Sequence, residues 1–286
     1  MKTEPRDGKP VLYEINVCFD RRGRVARPAR YERISEGDKM NALYISGVRM
    51  REKPREAYLE RIPAVRQLLE GETLSFSSPV TFFVGENGTG KSTLIEAIAV
   101  AAGFNPEGGT KNFRFQTAKA HSTLHECLTI IKRGYPKDGF FLRAESFFNV
   151  ATNIDGLDEE PAFSPPVIDS YGGIPLHERS HGESFLALVQ NRFGGNGMYI
   201  LDEPEAALSP MKILTLMCEM KRLVDRNSQF IIATHSPILM AFPGAETMEF
   251  SENGIQKTDY RNTEHYEITR RFLENPERMM DVLFGE

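Results

Sequence analysis

The chain has 286 residues, 40% of them hydrophobic and 26% charged, which is enough to bury a sizeable core and excludes wholesale disorder. Its 35 basic and 40 acidic residues leave a net charge of -5, so a protein that coats nucleic acid by bulk charge is excluded and only a local basic patch remains open. No apolar run reaches the roughly 18 residues that cross a bilayer, and residues 1–10 lack the apolar stretch of a secretory signal. Cys18, Cys127 and Cys218 follow no disulfide or metal spacing, so a cytoplasmic protein without direct membrane insertion is expected.

Residues 1–40 stand apart as an N-terminal extension to a larger α/β domain over 41–286. Val11 to Phe19 alternates like a strand, and Asp20-Arg21-Arg22-Gly23 has the composition of a hairpin turn. Arg24, Arg27 and Arg30 follow, but acidic residues come soon after and no aromatics interleave, so a solvated hairpin is preferred to a phosphate-binding patch. Ala42 to Val48 is an expected strand, Ile62 to Leu69 a helix and Val80 to Val84 a buried strand. A glycine-rich turn comes next, then Thr93 to Ala102 as a helix that stops at Gly103. The stretch 105–175 is rich in Gly, Pro and acidic residues and is expected to be a small helical or lid subdomain inserted into the sheet. Phe140 to Ala144, Met198 to Leu201 and Phe230 to Ala233 are short apolar runs, as central strands covered on both faces should be. Met211 to Val224 repeats apolar residues at helical spacing, and Asn262 to Leu283 is expected to be a helix or helix pair capped by Thr263. Strands alternating with helices predict an α/β fold with a mostly parallel central sheet.

Gly85-Glu86-Asn87-Gly88-Thr89-Gly90-Lys91-Ser92-Thr93 fits the phosphate-loop pattern G-x-x-x-x-G-K-[ST]. Backbone N–H groups must wrap a polyphosphate, and only glycine turns that sharply without a Cβ in the way. The helix that follows offers its N-terminal dipole to the anion. Lys91 would sit against the β- and γ-phosphates and Ser92 would ligate Mg2+. A chance match in a chain of this length has a probability on the order of 1%, and a preceding apolar strand lowers it further. A nucleoside triphosphate is the expected ligand.

Met198 to Leu201 ends in Asp202-Glu203-Pro204. Adjacent strand residues point to opposite faces, so the two carboxylates divide the work. Asp202 is assigned to Mg2+ and Glu203 to polarising the attacking water. Thr234-His235-Ser236 closes the run Phe230 to Ala233, and His235 is a candidate γ-phosphate sensor.

These elements in this order resemble the ABC-type ATPases: 85–93 looks like their Walker A, 200–203 like Walker B with its catalytic glutamate, and His235 like the switch histidine. Arg179-Ser180-His181-Gly182-Glu183 resembles the signature L-S-G-G-[QE] in part, with His181 replacing a glycine and Arg179 the leucine. The resemblance implies a P-loop fold with an antiparallel β subdomain and a helical insertion, Mg2+-dependent ATP hydrolysis, and a head-to-tail homodimer. Ser180 and Gly182 of one copy would then close over ATP held by the other. For the family's Q-loop glutamine, Glu145 is preferred as the metal-side residue and Gln116 competes. Glu205-Ala206-Ala207-Leu208-Ser209-Pro210 stands where an aspartate is usual, which is more similar to the soluble OLD- and RecF-like predicted ATPases than to transporter subunits. Lys91 and Ser180 are roughly ninety residues apart with no sustained heptads, which leaves no room for a long coiled-coil arm.

DNA or a partner protein is the expected object of the work, in a repair or phage-defence role. The alternatives are the ATP-binding subunit of a membrane transporter and a nucleotide-controlled regulator of a partner toxin or effector. His121 with His125 and His177 with His181 have helical metal-ligand spacing but no third ligand at a telling distance. Lys111-Asn112-Phe113-Arg114-Phe115 could stack on bases, although packing its rings inward is preferred. His265 is assigned a structural place at the opening of the C-terminal helix.

Overall fold

A computed structural model describes residues 43–110, 122–143 and 180–285, the backbone of 11–12, 18–19 and 25–26, and the single positions 147, 152, 173 and 178. Near the N-terminus β1 (Val11–Leu12), β2 (Cys18–Phe19) and β3 (Val25–Ala26) form a small antiparallel sheet. Val11 pairs with Phe19 and Leu12 with Cys18. This antiparallel pairing breaks the single continuous strand that the alternation predicts over Val11 to Phe19. A period-two pattern reports extended backbone on both sides of a reversal and does not register the reversal itself.

The larger part begins with β4 (Ile45–Met50), α1 (Pro63–Leu69), β5 (Thr73–Ser75), β6 (Val80–Gly85) and α2 (Lys91–Ala101). Then come α3 (Leu124–Cys127), β7 (Leu128–Lys132), β8 (Asp138–Arg143), α4 (His181–Arg192) and β9 (Gly197–Asp202). A 3-10 turn at Pro204–Ala207 leads to α5 (Pro210–Val224), β10 (Gln229–Ala233), α6 (Pro237–Met240), β11 (Glu246–Ser251) and β12 (Gly254–Thr258). The helices α7 (Glu264–Glu274) and α8 (Pro276–Phe284) close the chain.

Six strands form the main sheet in the order β12-β11-β6-β10-β9-β8, parallel throughout except for β11 with β12. A second, antiparallel sheet has the order β5-β4-β7. The apolar strands have no polar face because both sides are covered. Phe82, Tyr199, Leu201, Phe230 and Ile232 turn towards α4 and α5. Phe83, Ile200, Ile231 and Ala233 turn the other way, towards α1, α2 and the antiparallel sheet. Gln229, fully buried in β10, ties the two sheets together. Its Oε1 accepts from the N–H groups of Tyr44 at 2.8 Å and Ile45 at 2.9 Å, and its Nε2 donates to Ile45 O at 2.7 Å. Every polar atom of that amide that could be lost to burial is thus engaged.

Register decides where chemistry can gather. Phe83 of β6 and Asp202 of β9 both lie opposite Ala233 of β10. The loops that leave β6, β9 and β10 therefore emerge side by side at the carboxyl edge, where parallel sheets bind ligands. The strand expected over Phe140 to Ala144 is described over Asp138–Arg143, and Ala144 lies outside the described residues. Glu145 and Gln116, the two Q-loop candidates, lie outside the described residues, as do Arg179, His121, His177, the side chains of the Arg24 to Arg30 cluster, and the basic-aromatic run 111–115. Among the described residues no helix is long and apolar enough to cross a membrane.

Candidate active site

The loop after β6 is built on glycines that nothing else could replace. Gly85 has φ +138°, and a Cβ there would drive into the carbonyl oxygen of Phe250 on neighbouring β11. Gly90 has φ +96°, caps α2, and has no room for a Cβ beside the Ile62 side chain. Gly88 is also left-handed, at φ +83°, but faces open space, so its need is conformational alone. Thr89 closes the turn by donating its hydroxyl to Glu86 O at 2.8 Å. Asn87 lies between these turns, and Thr93 follows on the first turn of α2.

Lys91 opens α2 and is only 4% exposed. Its ammonium donates to the carbonyls of Gly85 at 2.7 Å and Glu86 at 2.9 Å, so it lies across the loop it belongs to. Burial pushes its pKa down, and the carboxylates of Glu203 and Asp202 work against that shift. Ser92 donates its hydroxyl to Asp202 Oδ1 at 3.2 Å. Asp202 is 6% exposed, and Arg143 from the end of β8 brings Nε to 3.7 Å of its other oxygen while pairing through NH1 with Glu96 of α2. A serine hydroxyl and a carboxylate oxygen at this separation are near the roughly 3 Å edge of an octahedron of hard oxygens, the arrangement that suits Mg2+.

Glu203 leaves the strand in the left-handed region at φ 51° and ψ 53°. That conformation costs a non-glycine residue about 1 kcal/mol and turns its side chain away from the one taken by Asp202. Its amide stays tied to Ala233 O at 2.9 Å. The carboxylate, 39% exposed, lies 3.4 Å from His235 Nε2. The other ring nitrogen of His235, Nδ1, is 2.8 Å from Nε2 of His265, and the rings tilt together with centroids 4.8 Å apart. Burial, then the charges of Lys91 and His265, hold His235 below its ordinary pKa, so the ring is neutral at pH 7.

Three participants escape the sequence reading. Arg143 gives no signal because it precedes no recognised motif. His265 carries no local cue beyond the cap before it, yet its ring lies on His235. Glu205, noted only as a departure from the usual aspartate, folds inward and accepts the backbone N–H of His235. Its Oε2 is buried with no hydrogen-bond partner among the described residues. Burial pushes the Glu205 carboxyl above its ordinary pKa, and the charge of Glu203 adds to the shift. A raised folded-state pKa gives stability that is complete below the unfolded value and is lost as pH rises through the folded one. Glu205→Gln keeps an acceptor for His235 and cannot ionise. Melting curves are expected to show the gap between wild type and this variant constant below the ordinary carboxylate pKa, with wild type falling progressively behind as pH rises above it.

Ser180 lies elsewhere on the chain's surface, and Gly182 is buried in the first turn of α4. Ser180 is the N-cap of α4, where both its N–H and its hydroxyl donate to Glu183 Oε2, at 2.9 and 2.6 Å. A Cβ on Gly182 would stand 2.5 Å from Ala207 O, so glycine lets α4 pack against the turn after Glu203. No hydrogen bond among the described residues joins Ser180 or Gly182 to the phosphate loop. Among those residues, too, no group of three or more His, Cys, Asp or Glu side chains could hold a metal ion by itself.

The family model described as an AAA domain matches residues 61–139, and the one described as "AAA domain, putative AbiEii toxin, Type IV TA system" matches residues 153–241. No curated protein matches the sequence. Solved structures similar to the chain include MJ1267, an ATP-binding cassette of an ABC transporter, at 15% identity over 82% of this chain and 97% of that one, with a TM-score of 0.46. A post-hydrolysis state of the ATP-binding cassette MJ0796 bound to ADP and Pi matches at 15% identity over 67% of this chain and 90% of that one, with a TM-score of 0.40. The SMC head domain from Thermotoga maritima matches at 16% identity over 66% and 92%, with a TM-score of 0.37.

Proposed function

We propose, for a chain that is an ABC-type P-loop ATPase head by fold and by the order of its motifs, that it binds Mg·ATP at the 85–93 loop and hydrolyses it between two copies arranged head to tail. The observation that carries this reading is the convergence of Lys91, Ser92, Asp202, Glu203 and His235 at the carboxyl edge of one sheet. The amides of Gly88, Thr89, Gly90, Lys91 and Ser92 receive the phosphates. When bound, Mg2+ would supply positive charge to stabilise the phosphate oxygens. Ser92 and Asp202 hold it, and Arg143 fixes the direction of the Asp202 carboxylate. Lys91 gives its ammonium to the β- and γ-phosphates. Glu203 accepts a proton from the attacking water, and the Nε2 edge of His235 holds Glu203 in line while offering an N–H to the terminal phosphate.

Ser180 and Gly182 are the residues for the second copy. Ser180 is exposed at the N-terminus of α4 with Gly182 buried beside it, and among the described residues neither bonds to the loop. Their contribution to an opposing nucleotide makes each site incomplete alone, and opening and closing of the pair is the output passed to DNA or to a partner protein, in a cytoplasmic repair or phage-defence role. Turnover per molecule should accordingly climb with protein concentration and level off once pairs form. A turnover number independent of concentration from nanomolar to micromolar would remove the shared-site reading. The match of residues 153–241 to the AAA domain of a putative AbiEii toxin favours one second reading, a nucleotide-controlled switch within a toxin–antitoxin pair. Slow turnover unaffected by DNA, together with a stable protein complex, would support it over the DNA-directed role.

A further inference from the structure

His265 comes from the first turn of α7, thirty residues beyond His235, and its position is fixed by a buried anchor. Thr263, fully buried, donates its hydroxyl to Tyr260 O at 2.6 Å and accepts from Tyr266 N–H as the N-cap of α7. Tyr260 and Tyr266 meet edge to face across that cap at 5.3 Å. The imidazole of His265 is therefore delivered by a rigid corner, and the 2.8 Å between Nδ1 of His235 and Nε2 of His265 holds one proton. Which ring owns it follows from the other side. Glu203 Oε1 faces His235 Nε2 at 3.4 Å, and a carboxylate oxygen there calls for an N–H and repels a lone pair. A neutral His235 has a single N–H to give, so Nε2 carries it, Nδ1 accepts, and His265 must be the donor.

We infer that His265 is a positioning residue: by donating Nε2–H to Nδ1 of His235 it locks His235 in the tautomer whose Nε2–H points at Glu203 and the terminal-phosphate position, and so makes the start of α7 part of the hydrolytic machinery. This rests on the ATPase reading for its consequence and on the ring geometry of a neutral His235 for its premise.

The premise is tested without nucleotide. In 15N-labelled protein, long-range proton–nitrogen spectra of the six histidines, with His235 and His265 identified by substitution, should show His235 protonated on Nε2 and bare on Nδ1. In His265→Ala the same ring should average between tautomers. The turnover number of that variant should fall about tenfold with KM changed by less than about twofold, while its melting temperature stays with wild type. His265→Gln, whose amide nitrogen can stand where Nε2 stood, should restore most of the turnover and the tautomer. A proton found on Nδ1 of His235 in wild type, an unaltered tautomer in His265→Ala, or equal losses in the Ala and Gln variants would each overturn the proposal. A wild type with the expected tautomer but no hydrolysis would instead defeat the ATPase reading alone.

Discussion

Glu203→Gln is expected to lower ATP turnover about a thousandfold while leaving nucleotide binding intact. Glutamine keeps the volume and the hydrogen-bonding reach of the side chain but cannot take a proton from water. The fold should not notice, because the side chain is well exposed and its described side-chain contact is with His235. Unfolding free energy should stay within about 0.5 kcal/mol of wild type. Removing a negative charge that faces the phosphates should, if anything, tighten the nucleotide. Single-turnover hydrolysis beside equilibrium binding of the same variant separates the two effects. Loss of both together would assign Glu203 to binding or structure instead of to the water.

Lys91→Ala should act on the other quantity. The ammonium is the cation aimed across the loop, and it is buried against the carbonyls it also satisfies. Charge-assisted hydrogen bonds of this kind are worth about 1.5–3 kcal/mol, so affinity for Mg·ATP should fall by roughly ten- to a hundredfold. Stability should change little, since the lost bonds are offset by the desolvation that holds the Lys91 pKa down. Titration calorimetry with a non-hydrolysable triphosphate measures the loss. An affinity equal to wild type would mean that the phosphates do not lie over this loop.

What could be read from the sequence follows from which interactions are local. Binding phosphate with backbone N–H groups needs consecutive residues, so 85–93 announces itself. The buried strands ending at Gly85, Asp202 and Ala233 do so as well, because both their faces are covered and apolar residues dominate them. The strands β5, β7, β11 and β12 are mixed in composition. Thr73–Ser75 is exposed at both ends, and Gly254–Thr258 forms the edge of the main sheet, so no apolar run marks them. Arg143, Glu205 and His265 are legible only after folding. Parallel register places Arg143 opposite Asp202. The tight turn after Glu203 swings Glu205 under the loop that follows β10, and the buried Thr263 corner returns α7 to His235. Each acts through a residue that a motif had already marked, so its own sequence neighbourhood carries no trace of the role.

Light scattering of Glu203→Gln, which should bind ATP and not cleave it, tests the shared site most directly. The mass should match one chain in Mg2+ alone and double on addition of ATP, and Ser180→Ala in the same background should weaken that doubling. A single-chain mass with nucleotide demonstrably bound, at concentrations up to those of the hydrolysis assay, would contradict the account.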